Sequence, residues 1–226
     1  LALFLGLKAW RWRLLLAPVQ PIAVRRLYAY TLAGCAVTNL FPARAGQAAR
    51  VALLRRDAVP VTASIAVLVV EELCNACVLG LIAAPLLFLL PLPAAVRGAL
   101  ALVGGGATIA LLLSMWIARA GRAARAEGLV RRVADALAVL REVRAAGAVL
   151  LVTAAMWTVD LLQIALAFTA VGVAPSYAGA ALVLLSVNVT NALPVTPGQL
   201  GLFEAAAAAA CVAVGATPEQ GVAVGV

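Results

Sequence analysis

Residues 59–90 read VPVTASIAVLVVEELCNACVLGLIAAPLLFLL, and this run decides the fold class. At about 1.5 Å per residue it makes roughly 48 Å of helix, more than the ~30 Å hydrocarbon core of a bilayer needs. It predicts a long tilted helix, or one broken near Pro85, where a proline removes an N–H and crowds the preceding turn. The remainder of the chain has the same character. Apolar residues fill 65% of its 226 positions and charged residues 12%, and the mean hydropathy is +1.10. A soluble domain carries about 45–50% apolar and about 25% charged residues. A chain this apolar cannot cover its own surface in water and takes the bilayer as its solvent. The expected class is all-α: a polytopic helical membrane protein, one transmembrane domain over residues 1–226, with both ends cut inside apolar runs and no cleavable signal peptide.

Other segments follow outward from this run. Leu1–Leu7 is expected to be the tail of a membrane helix ending at Lys8, Trp10, Arg11, Trp12 and Arg13, a set of interfacial type. Leu27–Phe41 is short at about 22 Å of helix, and breaks at Pro42. Ala94–Ala118 and Ala148–Val171 are expected spans. Ala178–Leu193 is again short and breaks at PVTPGQLG; Leu202–Val214 follows. Between the spans, residues 119–146 are arginine-rich, with Glu127, Asp135 and Glu142 as the acidic residues. Leu129, Val133, Leu137 and Leu140 recur there at helical spacing, which predicts an amphipathic segment on the cytoplasmic surface.

The formal net charge is +8, nearly all of it arginine. The arginines cluster between apolar runs, which points to membrane topology and lipid headgroups and away from nucleic acid. The chain has no histidine, so the commonest general base and metal ligand is missing. Cys74 and Cys77 form a CxxC without a second pair, and with Cys35 and Cys211 they read as buried small hydrophobes. No metal or other cofactor is expected, and no catalytic residue stands out. With the most basic stretch, Arg119–Arg144, placed in the cytoplasm, Arg55-Arg56 falls inside and Ala174–Tyr177 outside. Leu27–Phe41 has basic clusters on both flanks, so it is expected to enter and leave on the cytoplasmic side; Ala178–Leu193 enters from the opposite face.

The two broken segments share sequence. Residues 37–47 are VTNLFPARAGQ and residues 189–199 are VTNALPVTPGQ, matching at Val, Thr, Asn, Pro, Gly and Gln in one frame. With opposite predicted orientations, this is the pattern of an inverted-topology repeat of two re-entrant hairpins. The breaks are structural, at Pro42 and Gly46 in the first copy and at Pro194, Pro197, Gly198 and Gly201 in the second. Backbone freed by such breaks cannot face lipid, so it faces protein or a water-filled cavity. Paired interrupted segments of this kind point to a transport site. Asn39, Gln47, Asn191 and Gln199 are the matched polar residues, either lining that site or capping half-helices.

RWRLL at 11–15, NLFPARAGQAAR at 39–50, VVEELCN at 69–75 and LPVTPGQLGLFE at 193–204 resemble the lysylphosphatidylglycerol synthase transmembrane family, whose membrane regions are related to the flippase half of bacterial multiple-peptide-resistance proteins. The resemblance covers nearly the whole chain. It implies a membrane protein that moves or handles lipids. Pro42, Arg44, Gly46 and Arg50 match its first motif, Glu71 the acid of its Glu-Arg pair, and Pro194, Pro197, Gly198, Gly201 and Glu204 its last. Gln47 stands where the family usually has glutamate, Glu72 where it usually has arginine, and Gln199 where it often has glycine.

Together these readings give an expected lipid translocase of the inner cell membrane. Arg44 and Arg50 would bind an anionic headgroup, and Glu71, Asp160 and Glu204 would be buried polar partners. In the full synthases, as the resemblance implies, aminoacyl transfer belongs to a soluble domain that these residues do not contain, so no enzyme activity is expected. Membrane lipids are the expected partners, with a lipid-modifying enzyme or a second copy as possible protein partners. The alternative is a non-transporting scaffold for a lipid-modifying or glycosyl-transferring enzyme. The orientation is checked by labelling. Single cysteines at positions 122 and 175, in a cysteine-free chain, should react oppositely with an impermeant thiol reagent; equal labelling from outside overturns the arrangement.

Overall fold

A computed structural model describes residues 2–41, 45–89, 98, 105–106, 108–112, 142–192 and 201–225. Among these residues the chain is helical, without strands: α1 (Ala2–Leu16), α2 (Val24–Leu40), α3 (Ala45–Leu54), a 3-10 turn (Arg55–Asp57), α4 (Val61–Ala83), α5 (Leu86–Leu89), α6 (Val143–Ala170), α7 (Tyr177–Ala192), α8 (Leu202–Ala213) and α9 (Pro218–Gly225). Val61–Leu89 and Val143–Ala170 are long and apolar enough, by length and composition, to cross a membrane.

Side-chain contacts fix the directions of the helices. Arg11 of α1 meets Thr153 of α6, and Phe4 stacks edge-on against Trp157 with ring centroids 6.3 Å apart, so α1 and α6 are antiparallel. Val78 of α4 packs with Trp157 of α6 and Leu184 of α7. The Tyr177 hydroxyl, at the start of α7, donates to the Ile82 carbonyl at 2.7 Å, near the end of α4. Helices α4 and α6 therefore run parallel, with α1 and α7 running against them. Helix α4 breaks at Ala84-Pro85, where the proline was expected to interrupt it.

Polarity is inverted relative to a water-soluble bundle. Leu81, Leu151 and Leu166 lie exposed on α4 and α6, while Arg11, Arg50 and Glu71 are buried between helices. That arrangement suits a hydrocarbon solvent, in which apolar side chains need no cover and charges need protein partners.

Two expectations are corrected at the N-terminus. Helix α1 does not end at Lys8 but runs on to Leu16, and Arg11 and Trp12 are 0% and 2% exposed, inside the bundle and not at the interface. The charge does not have to leave the helix for headgroup level, because α4 and α6 supply its partners sideways. The helix stops ahead of Pro18 and Pro21, residues that cannot continue it. Trp10 and Arg13, on the opposite face, keep the expected exposed character, with the Arg13 guanidinium 5.3 Å from the Trp10 ring centroid.

Segment 27–54 has the expected helix–break–helix form, in α2 and α3. The two helices fold back on each other, so the hairpin's outer ends meet: Asp57 pairs with Arg26 and accepts a hydrogen bond from the Tyr30 hydroxyl at 2.8 Å. Close backbone approach explains the glycines. A Cβ on Gly46 would collide with the Thr38 hydroxyl and the Gly34 carbonyl, and a Cβ on Gly34 would lie 2.7 Å from Cγ of Arg50. Pro42 and Arg44 of the first break lie outside the described residues. So do Leu193–Leu200 of the second, with Pro194, Pro197, Gly198 and Gln199, and most of the basic stretch 119–146, up to Arg141.

Gly46→Ala should destabilise the hairpin by about 1–3 kcal/mol, because overpacking outweighs the roughly 1 kcal/mol gain in helix propensity. Gly147→Ala on α6, where an added Cβ meets nothing within 4 Å, should be neutral or slightly stabilising. Thermal unfolding of the two variants in detergent separates them; equal shifts would mean that α2 and α3 do not meet at Gly46.

Candidate functional site

Helix α1 turns Leu5, Ala9, Trp12 and Leu16 onto one buried face. Arg11 flanks that face, so its side chain enters the space between α4 and α6. Its Nη2 donates to Oε1 of Glu71 at 2.5 Å. Its Nη1 donates to Oδ1 of Asn75 at 2.7 Å and to the Thr153 hydroxyl oxygen at 3.1 Å. Thr153 in turn donates its own proton to the Val149 carbonyl at 2.7 Å, which leaves its oxygen free to accept from Arg11. Glu71 and Asn75 are one helical turn apart, so α4 presents both acceptors on the same side.

Trp12 and Arg50 complete the cluster. The Trp12 indole N–H donates to Oε2 of Glu71 at 2.7 Å. The Arg50 guanidinium, from α3, lies 3.7 Å from the Trp12 ring centroid, in cation–π geometry, with its Nη1 3.5 Å from the same Oε2. Arg50 and Glu71 are 6% and 3% exposed. Among the described residues, Nε of Arg11 and Nη2 of Arg50 are buried without a hydrogen-bond partner. Lys8 lies within electrostatic reach of Glu71, Arg50 and Arg11, and Glu72 within reach of Arg50. Three cations thus face two carboxylates among the described residues.

Of the residues singled out in the sequence, the structure brings Arg50 and Glu71 together. Gln47 and Glu72 also meet: the Gln47 amide donates to Glu72 Oε1 at 3.1 Å on a more exposed flank of the same α3–α4 contact. Asn39 is exposed at the end of α2, with no side-chain hydrogen bond among the described residues. Glu204 lies away from the cluster. Its Oε2 accepts from the Gly201 N–H at 2.7 Å and so caps the start of α8. Gly201, at φ +82°, adopts there a conformation that other residues rarely take. Asp160 accepts a hydrogen bond from its neighbour Gln163 at 3.2 Å on α6. Asn191 belongs to the last turn of α7. Arg44 and Gln199 are outside the described residues.

Arg11, Trp12, Asn75 and Thr153 were missed by sequence reading. One signal was available: Trp12 continues the Leu5–Ala9–Leu16 apolar stripe at helical spacing, while Trp10 and Arg13 fall opposite it. A second was that Glu71, an acid inside a membrane run, needs a cation from another segment.

A helical membrane protein with a charged cluster enclosed between its helices is the class these features define. The sequence profile of the lysylphosphatidylglycerol synthase TM region matches residues 1–226, the whole chain, and the protein belongs to that family. Comparison with curated proteins and with solved structures finds no match to either.

Replacing Glu71 with glutamine removes the only carboxylate that Arg11 touches among the described residues. An uncompensated buried charge should cost about 3–5 kcal/mol of stability. Glu204→Gln keeps an acceptor for the Gly201 N–H and should cost less than about 1 kcal/mol. Unfolding temperatures of the two variants in detergent check this contrast, and a mild Glu71→Gln would show that the cluster does not tie α1 to α4.

Proposed function

We propose that this chain is a multi-pass protein of the bacterial inner membrane that moves lipids between leaflets, a flippase-like translocase for an anionic or modified headgroup. The observation that carries this reading is the enclosed cluster of Arg11, Arg50 and Glu71, with Lys8 and the exposed Glu72 within electrostatic reach of it. Glu71 lies roughly 15 Å along α4, about half the depth of a ~30 Å hydrocarbon core. A headgroup crossing a bilayer needs polar contacts at that depth, where lipid offers none. Arginine is suited to the task, because its planar fork matches a phosphate with two parallel hydrogen bonds.

The repeated VTN and PGQ or AGQ elements support the same reading. In this proposal α2–α3 and α7–α8 are two re-entrant hairpins entering from opposite faces, with Arg44, Asn39, Gln47, Asn191 and Gln199 along the path between their breaks. Membrane lipids are the partners, and a lipid-modifying enzyme or a second copy would sit beside the chain. These residues carry out no bond-making step; they handle lipid that another protein modifies.

The full chain, reconstituted into vesicles with headgroup-labelled phosphatidylglycerol, should speed the arrival of label in the opposite leaflet. Arg50→Gln should slow it roughly tenfold or more, the scale of one charge-assisted hydrogen bond. Label that stays put in vesicles holding folded native protein would reject the translocase and favour the non-transporting scaffold.

A further inference from the structure

The two arginines of the cluster are held in different ways. Arg11 has three acceptors, on Glu71, Asn75 and Thr153. Glu71 is satisfied without Arg50, since Oε1 takes Arg11 and Oε2 takes the Trp12 indole N–H at 2.7 Å. Arg50 reaches Oε2 only at 3.5 Å, and among the described residues its Nη2 is buried without a partner, as is Nε of Arg11. The Arg50 guanidinium carbon stands 3.7 Å from the Trp12 ring centroid, a face that attracts a cation but satisfies none of its N–H groups directionally. A buried, unpaired N–H on a charged group is costly.

We propose that Arg50 is the arginine that takes the anion, and that it does so by leaving Glu71, while Arg11 and Trp12 act as positioning residues that keep the carboxylate satisfied after it has left. The ligand chemistry is a phosphate oxyanion, which a lipid headgroup or free phosphate would supply. The guanidinium slides off the indole face to meet it. The stem sets the path of that movement, because it crosses α2 directly over Gly34, with Cγ and Cδ 2.7 and 2.8 Å from where a Gly34 Cβ would stand. This assignment rests on reading the cluster as a headgroup site, but it concerns binding and does not require transport.

Trp12 reports the event, because the moving cation is stacked on it. In the full chain in detergent, with Trp10, Trp116 and Trp157 changed to phenylalanine, emission from Trp12 is followed during titration with inorganic phosphate, phosphatidylglycerol micelles and phosphatidylcholine micelles. A saturable change with phosphatidylglycerol is expected. The same change with inorganic phosphate shows that the oxyanion alone suffices; a response confined to lipid assigns the ligand to a headgroup. Both support Arg50, provided that Arg50→Gln abolishes the response and weakens phosphatidylglycerol binding roughly tenfold or more. Trp12→Phe removes the indole donor, leaves Oε2 to Arg50 alone, and should weaken binding severalfold. Adding Arg50→Gln to it should cost less than Arg50→Gln costs alone, whereas a merely structural Trp12 would give additive losses. Should the triple phenylalanine variant not fold, fluorotryptophan incorporated into the native chain gives the same readout by NMR, with the Trp12 signal assigned from Trp12→Phe. Lipid that binds without changing the Trp12 signal, or binding that survives Arg50→Gln, overturns the assignment. A Trp12 response in a protein that moves no lipid leaves the assignment standing and removes the translocase reading.

Discussion

The Arg11–Glu71 ion pair, 2.5 Å long and sealed between α1, α4 and α6, is the constraint on which the surrounding structure depends. Neither charge can be left to hydrocarbon, and neither helix supplies a partner for its own charge. Bringing them together fixes the depth of α1 against α4. Asn75 and Thr153 extend that fixing to both parallel helices. Trp12, one residue along, fills the second carboxylate oxygen and offers its face to Arg50, so α3 is drawn to the same level. Once Arg50 has to reach inward across α2, the surface it crosses must be bare, and Gly34 and Gly46 supply that. The α2–α3 hairpin is thus held by the same charges that hold α1.

A cluster of this kind is a poor way to gain stability. A buried ion pair is often no better than apolar residues filling the same volume, while losing one partner is strongly unfavourable. The apolar clusters around it are extensive: Trp12, Leu15, Leu16, Leu54 and Val67 pack below, and Phe168, Val183, Ala207 and Cys211 form a second group near the other end. Such packing would hold the helices without any charge. Arg50 Nη2, without a hydrogen-bond partner among the described residues, adds nothing to that holding.

How much could be read from the sequence depended on whether a feature acts locally. The length and apolarity of residues 61–89 and 143–170, the break at Pro85 and the interruption between Leu40 and Ala45 follow from backbone chemistry within a few residues and were legible. Gly46, expected as part of that interruption, lies inside α3. Helix α6 starts at Val143, earlier than its apolar run, because Arg144 is tolerated in an exposed first turn. The site was only half legible. Glu71 stood out as a charge in an apolar run, and Arg50 only through its place in the resembled family's first motif. Arg11 did not, because Trp-Arg pairs are typical of the interface and its acceptors lie on distant parts of the chain. Glu204 misled in the other direction: a GxxE spacing is also that of a capped helix start, and the cap is what the carboxylate makes.

Two of the three departures from the resembled family's pattern, Gln47 and Glu72, look in sequence like separate losses from a charge network. In space they are one contact, an amide donating to a carboxylate at 3.1 Å. A glutamate and an arginine at these positions would form a neutral pair across the same α3–α4 seam, so the exchange preserves the link between the helices while converting it to a weaker hydrogen bond. It also changes the charge. Counted over these two positions alone, the sum goes from zero to minus one, with Glu72 within electrostatic reach of Arg50. The inner network of Arg11, Trp12, Glu71 and Arg50 is untouched, which separates two roles that sequence alone would merge. In the proposed reading the inner residues set the geometry of an anion site, and the Gln47–Glu72 contact on its flank sets how strongly its positive charge is felt by whatever approaches. A chain with glutamate and arginine there would keep the same cavity chemistry but present more net positive charge to a headgroup, so variation on the flank tunes attraction without disturbing the machinery behind it.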